Sequence, residues 1–121
     1  MIRKILVIFL NIVILTGCFR ESEINNDKSY KITISIIVAD ELKSRKSINV
    51  KHDTKLYDIL SDNYSIKFKD DMLTEIENYR DDPKENIYWT YKVNGEMPMK
   101  GIKDYKIKEE SNIEFILSEI K

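Results

Sequence analysis

Residues suited to catalysis or metal binding are scarce in this chain. It has 121 residues, with one cysteine, Cys18, and one histidine, His52. A zinc site needs several converging His and Cys ligands, and nucleophilic catalysis needs a nucleophile beside a base. The sequence therefore predicts neither, and it favours a surface or helix-capping role for His52.

The carboxylates are numerous but lack the spacing of a cation site. The chain carries 21 acidic and 20 basic residues, and its isoelectric point is near 5.9. The acidic groups at 70–71, 75–77 and 81–82 have neither the alternating oxygen ligands nor the glycine of a calcium loop. The balanced charge also offers no basic surface for a phosphate backbone. We expect a non-enzyme that binds no metal and no nucleic acid.

The aromatic run YWTYKVNGEM at residues 88–97 holds the best candidates for ligand binding. Strand alternation places Trp89 and Tyr91 on the side of Val93, which is the least ambiguous core residue of the run. The opposite face is then free to contact a ligand. The alternative is that Trp89 stacks against a flat ligand. The predicted ligand-binding residues are Tyr88, Thr90, Lys92, Asn94, Gly95, Met97 and Met99.

Two of these candidates depend on the geometry of the turn at 94–95, whose Asn-Gly pair is a strong hairpin signal. A two-residue turn would place Met97 and Met99 opposite Lys92 and Thr90, on an adaptable outer face. A bulge after the turn would instead direct both methionines into the core.

The first 18 residues, MIRKILVIFLNIVILTGC, have the layout of a secretory leader. Arg3 and Lys4 precede an apolar run over 5–15, which is shorter than the roughly 20 residues of a membrane span. The closing letters LTGC resemble the lipobox of bacterial lipoproteins, in which the cysteine is acylated and becomes the new first residue. We expect a signal peptide at 1–17, a lipid anchor on Cys18 and export to the outer face of the cell membrane. The alternatives are an ordinary signal peptide with a chance cysteine, or an uncleaved membrane segment.

A polar stretch at 18–29 predicts a flexible tether, after which the elements that position the candidate residues begin. Alternating apolar residues from Tyr30 to Val38 predict a strand, and Ser47–Lys51 predicts a second one. The charged segment Ala39–Arg45 between them is typical of a hairpin connection.

A change of period after residue 53 predicts a short helix. Leu56, Ile59 and Leu60 recur at helical spacing, with Asp53 or Thr54 as the expected N-cap. Asn63 is the expected left-handed stop. Such a short helix must lie on a sheet to be stable.

The rest of the chain predicts further strands around polar turns. Apolar alternation marks strands at 66–68, 72–76, 88–93, 105–107 and 113–117, with a surface loop at 77–86. The expected fold class is α+β, with a small sheet packed on one short helix.

The chain resembles a known family, and the most specific part of the resemblance is the motif YW-x-Y-x-VNG at 88–95, followed by Gly101. Together with Thr54, Ile76 and the apolar residues of the helix and last strand, they resemble the domain of unknown function 4430, also called the transcobalamin-like C-terminal domain. The resemblance spans residues 30–118 and implies a β-grasp-like, or ubiquitin-like, domain over 30–121. The chain departs from the family at two turns, where Asp53 and the segment 110–112 replace glycines.

The resemblance also implies a function, because animal relatives of the family form half of a clamp around cobalamin. The expected protein is a lipoprotein whose non-catalytic domain captures a corrinoid or another small molecule and passes it to a transporter. No covalent group other than the lipid is expected. An interaction module for a protein or a cell-wall polymer, acting through a free sheet edge or exposed face, is the alternative. A structural accessory subunit is a third.

Overall fold

The computed structural model describes residues 28–120 of the chain. The predicted signal peptide at 1–17, the lipidation site Cys18 and the predicted tether up to residue 27 lie outside the described residues. Within the described range, no helix is both long enough and apolar enough to cross a membrane.

One α-helix and seven strands form this part of the chain, together with 3-10 turns at Pro83–Glu85 and Ile102–Asp104. The architecture is α+β, as predicted. The elements are β1 Ser29–Val38, β2 Glu41–Lys51, α1 Leu56–Asn63, β3 Ile66–Lys69, β4 Met72–Ile76, β5 Tyr79–Arg80, β6 Ile87–Val93 and β7 Ser111–Glu119.

The main sheet has four strands in the order β2-β1-β7-β6. β1 pairs antiparallel with β2 and parallel with β7, and β6 pairs antiparallel with β7. The last strand therefore lies inside the sheet and joins the N-terminal hairpin to the aromatic strand β6. A smaller antiparallel sheet has the order β3-β4-β5.

The core lies on one face of the main sheet, which we call the inner face. α1 contributes Leu56, Ile59 and Leu60 to this core, all at most 3% exposed. An eight-residue helix is marginal by itself in water, so this burial is what holds it in place. The strands contribute Ile32, Ile34, Ile36, Trp89, Tyr91, Ile113, Phe115 and Leu117.

The first hairpin is tighter than predicted. β2 begins at Glu41, and only Ala39 and Asp40 form the turn, with φ of 51° and 67°. Two successive residues with positive φ match the right-handed twist of the paired strands. The predicted connection over 39–45 was wrong because its charges belong to a strand at the sheet edge, where charged side chains are tolerated.

The start of α1 also differs from the prediction. Lys55 occupies the N-cap position and makes no side-chain capping bond. The Thr54 hydroxyl instead donates to the Lys51 carbonyl at 2.7 Å, and Asp53 adopts φ 68°. Asp53 and Thr54 therefore shape the turn between β2 and α1 rather than capping the helix.

The end of α1 falls at Asn63, as predicted, but without a left-handed residue. Tyr64 follows in an extended conformation with φ −141°. The Asn63 side chain donates to the Ile59 carbonyl at 2.8 Å, which occupies the amide within the last turn.

Two later predictions need correction. The predicted loop at 77–86 contains the short strand β5 and a 3-10 turn. The predicted strand at 105–107 is a single bridge between Lys106 and Lys55. Ile107 is fully buried, and its N–H donates to the Thr54 carbonyl at 2.9 Å. This segment therefore fastens the turn before α1 rather than extending the sheet.

Candidate functional site

The aromatic strand β6 divides its side chains between two faces, as alternation predicts. Trp89 is 8% exposed and Tyr91 is 9% exposed. The Trp89 indole N–H donates to the Tyr79 carbonyl at 3.2 Å, and the Tyr91 hydroxyl donates to the Lys100 carbonyl. Burial raises the pKa of Tyr91 to about 12, with Tyr105 adding to the rise. Both aromatic residues belong to the core.

The predicted pairing of the methionines with β6 is wrong. The segment after the turn pairs with β6 only through a bridge between Val93 and Glu96, and no strand continues at 97–99. Met97 and Met99 belong instead to an irregular segment, at 60% and 101% exposed. The alternative in which a bulge buries them is wrong as well. Pro98 explains the missing strand, since it has no N–H to donate to a ladder.

The turn at 94–95 forms as predicted, with φ of 51° at Asn94 and 86° at Gly95. The Glu96 N–H donates to the Val93 carbonyl at 3.1 Å, which closes the turn, and the Val93 N–H donates back to the Glu96 carbonyl at 2.8 Å. The Asn94 side-chain oxygen accepts the Asn112 N–H at 2.9 Å. This bond fixes the carboxamide beside the main sheet.

Asn94 stands at one end of the open face of the main sheet, which we call the outer face. Its β6 residues are Tyr88, Thr90 and Lys92, all half-buried. The strand registers align them with neighbours on the three other strands. The other members of the outer face are Lys31, Thr33, Ser35, Ile37, Leu42, Arg45, Ser47, Asn49, Asn112, Glu114, Ile116 and Ser118.

A charged row crosses the middle of the outer face. Arg45, Ser35, Glu114 and Lys92 are successive register partners on β2, β1, β7 and β6. The Arg45 Nε donates to the Ser35 hydroxyl oxygen at 3.2 Å. Ser35 is only 2% exposed, because its neighbours cover this small side chain. The row therefore presents one carboxylate, Glu114, between two cations, Arg45 and Lys92.

A row of amide and hydroxyl groups lies next to it, toward the Asn94 turn. Ser47, Thr33 and Asn112 are register partners, and the Asn94 N–H donates to the Asn112 carbonyl at 2.8 Å. A shallow groove of about 670 Å³ covers this end of the face, with Lys31 among its lining residues. These side chains can both donate hydrogen bonds to a ligand and accept them.

An apolar row lies on the other side of the charged row. Leu42, Ile37, Ile116 and Thr90 are register partners, and Leu42 is 50% exposed. Tyr88 follows on β6, opposite Ser118. The outer face thus changes from apolar through charged to amide-bearing along the strands.

Met97 and Met99, the remaining predicted ligand-binding residues, lie apart from the outer face. Met99 lines a separate groove of about 510 Å³ together with Tyr105 and Lys108. Burial raises the pKa of Tyr105. Of the seven predicted ligand-binding residues, the strand positions and the turn therefore share one surface, while the methionines lie beyond the turn.

His52 lies at the surface, as predicted. Its Nδ1 is 3.0 Å from the Tyr30 hydroxyl, and its Nε2 is 3.6 Å from the Asp53 carboxylate. The hydrogen bond from Lys108 lowers the pKa of Asp53. Among residues 28–120, no three His, Cys, Asp or Glu side chains are grouped so that they could hold a metal ion.

Sequence reasoning missed the outer-face residues of β1, β2 and β7. Thr33 and Arg45 lie on neighbouring strands of the β1-β2 hairpin, and Glu114 joins them only through the parallel pairing of β1 with β7. The available signal was the polar half of each alternating strand, which marks a solvent-facing row but does not give the register.

Several solved structures share this fold, including the following two. Haptocorrin, in a crystal structure in complex with Cbi, matches 78% of this chain with a TM-score of 0.67 and 13% identity. A candidate metal-binding protein from Ruminococcus gnavus ATCC 29149 matches 76% with a TM-score of 0.60 and 18% identity. The chain spans 26% of the haptocorrin chain and 99% of the Ruminococcus protein.

No curated protein sequence matches the chain significantly. A family model described as Domain of unknown function (DUF4430) matches residues 53–119, which extend from the turn before α1 to the end of β7. This match covers more than half of the chain and includes the candidate strand β6, the turn at 94–95 and the central strand β7 of the main sheet. The chain belongs to the DUF4430 family.

Proposed function

We propose that the domain is a non-catalytic binding module that holds a flat, amide-fringed small molecule, a corrinoid, against its outer face. The observation that carries the proposal is the three-row gradation of that face. Apolar side chains at one end suit a ring system, and the amide and hydroxyl groups at the other suit polar substituents.

The size of the surface supports this ligand class. Four strands at their usual spacing of about 4.8 Å span about 14 Å, and three rows about 7 Å apart span a similar length. A macrocycle of that size can touch all three rows at once. The half-buried Tyr88 and Thr90 would then contact the ring, and Asn94 its polar edge.

The fold comparison supports the same ligand class. Haptocorrin was crystallised in complex with Cbi, and its match to this chain includes most of the described residues. The β-grasp assignment is part of the proposal and rests on the β1-β2 hairpin, the central parallel pair β1 and β7, and the single helix on the inner face.

The leader supports a location for this activity. Acylation of Cys18 would hold the domain at the outer face of the cell membrane, where a captured ligand could pass to a transporter. Mass spectrometry of the protein from host membranes should find Cys18 acylated and first in the chain. A Cys18→Ser variant should lose the acyl mass and leave the membrane fraction, and an unprocessed leader would contradict this part of the proposal.

Titration of the full chain in mild detergent tests the ligand. Cyanocobalamin and dicyanocobinamide should each change their visible spectra on binding and release or absorb heat. Lys92→Glu and Ile116→Ser should each weaken binding by about tenfold or more, a loss of about 1.4 kcal/mol. Lys84→Glu, which makes the same charge change on an exposed residue away from the outer face, should bind like the unmodified chain. Equal weakening by Lys84→Glu, or no binding of either corrinoid at high micromolar concentration, would contradict the proposal.

A further inference from the structure

The strand β2 leaves one edge of the main sheet unpaired within the described residues, since only β1 lies beside it. The His52 N–H donates to the Lys28 carbonyl at 2.8 Å, so these two residues form a hydrogen-bonded pair. Such pairs alternate along an antiparallel ladder, and the register therefore directs the backbone of Val50 and Ile48 toward β1 as well. The residues between them direct their N–H and C=O groups outward: Arg45, Ser47, Asn49 and Lys51.

This edge, from Arg45 to Lys51, is exposed to solvent over most of its length. Alternate residues of a strand lie about 6.8 Å apart, so the four outward residues span about 20 Å and match an extended peptide of about seven residues. An unpaired row of backbone groups of this kind is a template for strand addition.

The charge on β2 has one dominant sign. The strand holds Lys43, Arg45, Lys46 and Lys51 against a single acid, Glu41. Lys43 pairs with Glu41 at 3.1 Å. Within residues 28–120, the other three cations make no ion pair with a carboxylate.

The positive charge of β2 determines which kind of strand can pair with its free edge. A second copy of β2 would bring cations against cations across the new ladder, which is destabilising. An acidic strand would meet them with opposite charge. Charged side chains on an edge strand protect a sheet from aggregation. Because the charges on this edge are positive, they repel basic strands and still admit an acidic one.

The side chains beside the edge define the partner further. A guest strand would place alternate residues near Ile48, which is half-buried on the inner side. Lys46 stays close to the domain there, donating to the Asn63 carbonyl at 2.9 Å and lying 4.4 Å from the Tyr64 ring centroid. The inner positions of the guest would therefore be apolar, and its outer positions beside Arg45 and Lys51 would be acidic.

We propose that the β2 edge docks an extended acidic segment of a partner protein, which joins the main sheet as a fifth strand beside Arg45–Lys51. This proposal gives a specific form to an interaction module. It rests on backbone groups and cations of the edge and does not depend on a corrinoid ligand.

The test uses the full chain in mild detergent and two capped heptapeptides. One is Glu-Val-Thr-Val-Thr-Val-Glu, whose palindromic order suits either strand direction. The other replaces both Glu with Lys. The Glu peptide should bind at least tenfold more tightly than the Lys peptide, and added salt should reduce the difference. Hydrogen exchange should slow at the amides of Arg45, Ser47, Asn49 and Lys51. Equal binding of the two peptides, or unchanged exchange at these amides, would overturn the proposal.

Three variants separate the contribution of the backbone from that of the charge. Ser47→Pro removes one outward N–H and is compatible with an edge strand, so it should weaken the Glu peptide at least tenfold. Ser47→Val keeps the N–H, so it should weaken the Glu peptide much less than Ser47→Pro does. The double variant Arg45→Glu and Lys51→Glu should reverse the preference toward the Lys peptide. If Ser47→Pro fails to fold, the charge reversal still decides, because an unchanged preference for the Glu peptide would overturn the proposal.

Discussion

The Trp89 side chain gives the core its largest aromatic group and ties two sheets together. Its ring is buried, and its N–H bonds to Tyr79 on β5. We expect Trp89→Ala to lower the free energy of unfolding by about 3–5 kcal/mol, through lost burial and a residual cavity. Tyr88→Ala, on the outer face of the same strand, should cost much less. Urea unfolding of both variants checks this, and a Trp89→Ala protein as stable as the Tyr88→Ala protein would contradict the division of faces.

Tyr64 has a buried hydroxyl that makes no hydrogen bond of normal geometry with the described residues. Burial raises the pKa of Tyr64, and the Ser44 hydroxyl offsets part of that rise. An unsatisfied buried polar group costs about 1–3 kcal/mol, so Tyr64→Phe should leave stability unchanged or raise it by about 1 kcal/mol. Thermal unfolding measures the change. A fall of the melting temperature would show that the hydroxyl has a partner.

Tyr91 makes the domain sensitive to alkaline pH. Burial raises the pKa of Tyr91 from 10.0 to about 12. A phenol whose pKa is higher in the folded state contributes stability that is fully present below the unfolded value and is lost as pH rises through the folded value. The free energy of unfolding should therefore fall between pH 10 and 12.

The Tyr91→Phe variant isolates this contribution. It should show a shallower fall over that pH range, although Tyr64 and Tyr105 keep part of the slope, since burial raises the pKa of each. Urea unfolding at pH 8 to 12 measures the slopes, and an unchanged slope would contradict the assignment.

At the scale of elements, the β1-β2 turn is strained by its sequence. Ala39 and Asp40 adopt φ of 51° and 67°, a region in which ordinary side chains cost about 1–2 kcal/mol. The double variant Ala39→Asn with Asp40→Gly supplies the preferred turn pair and should raise stability by about 1–2 kcal/mol. Ala39→Val should lower it. Chemical unfolding of the two variants measures these changes. A loss of stability in the double variant, or a gain in Ala39→Val, would contradict the turn geometry.

Local patterns were sufficient to predict most elements. Alternation predicted β1 and β6, helical spacing predicted α1, and the Asn-Gly pair predicted the turn at 94–95. These features depend on neighbours in the sequence. The errors arose where distant contacts decide the structure: the charges of β2 suggested a loop because its edge position was unknown, and Thr54 bonds within a turn rather than capping α1.

At the scale of the whole molecule, the outer face could not be predicted because its rows depend on strand register. Thr33 meets Asn112 only through the parallel pairing of β1 with β7, the most distant pairing of the described chain. A shift of one residue would exchange the inner and outer faces of a strand. The sequence therefore indicated the β6 part of the candidate site and left its β1, β2 and β7 parts unassigned.

The same topology separates the two proposed binding surfaces. The corrinoid surface is the open face of the main sheet, graded by its three rows, and the peptide surface is the outward edge of β2. Arg45 borders both, because its side chain lies on the face and its backbone on the edge. Occupation of one surface should therefore alter the affinity of the other.

The most direct test of the account maps cyanocobalamin onto the domain by nuclear magnetic resonance. Addition of this ligand should shift the amide signals of Thr33, Thr90 and Glu114, which belong to the three rows of the outer face. The signals of α1, on the inner face, should stay unchanged. Shifts confined to α1, or no shifts at millimolar ligand, would contradict the claim that the open sheet face is the recognition surface.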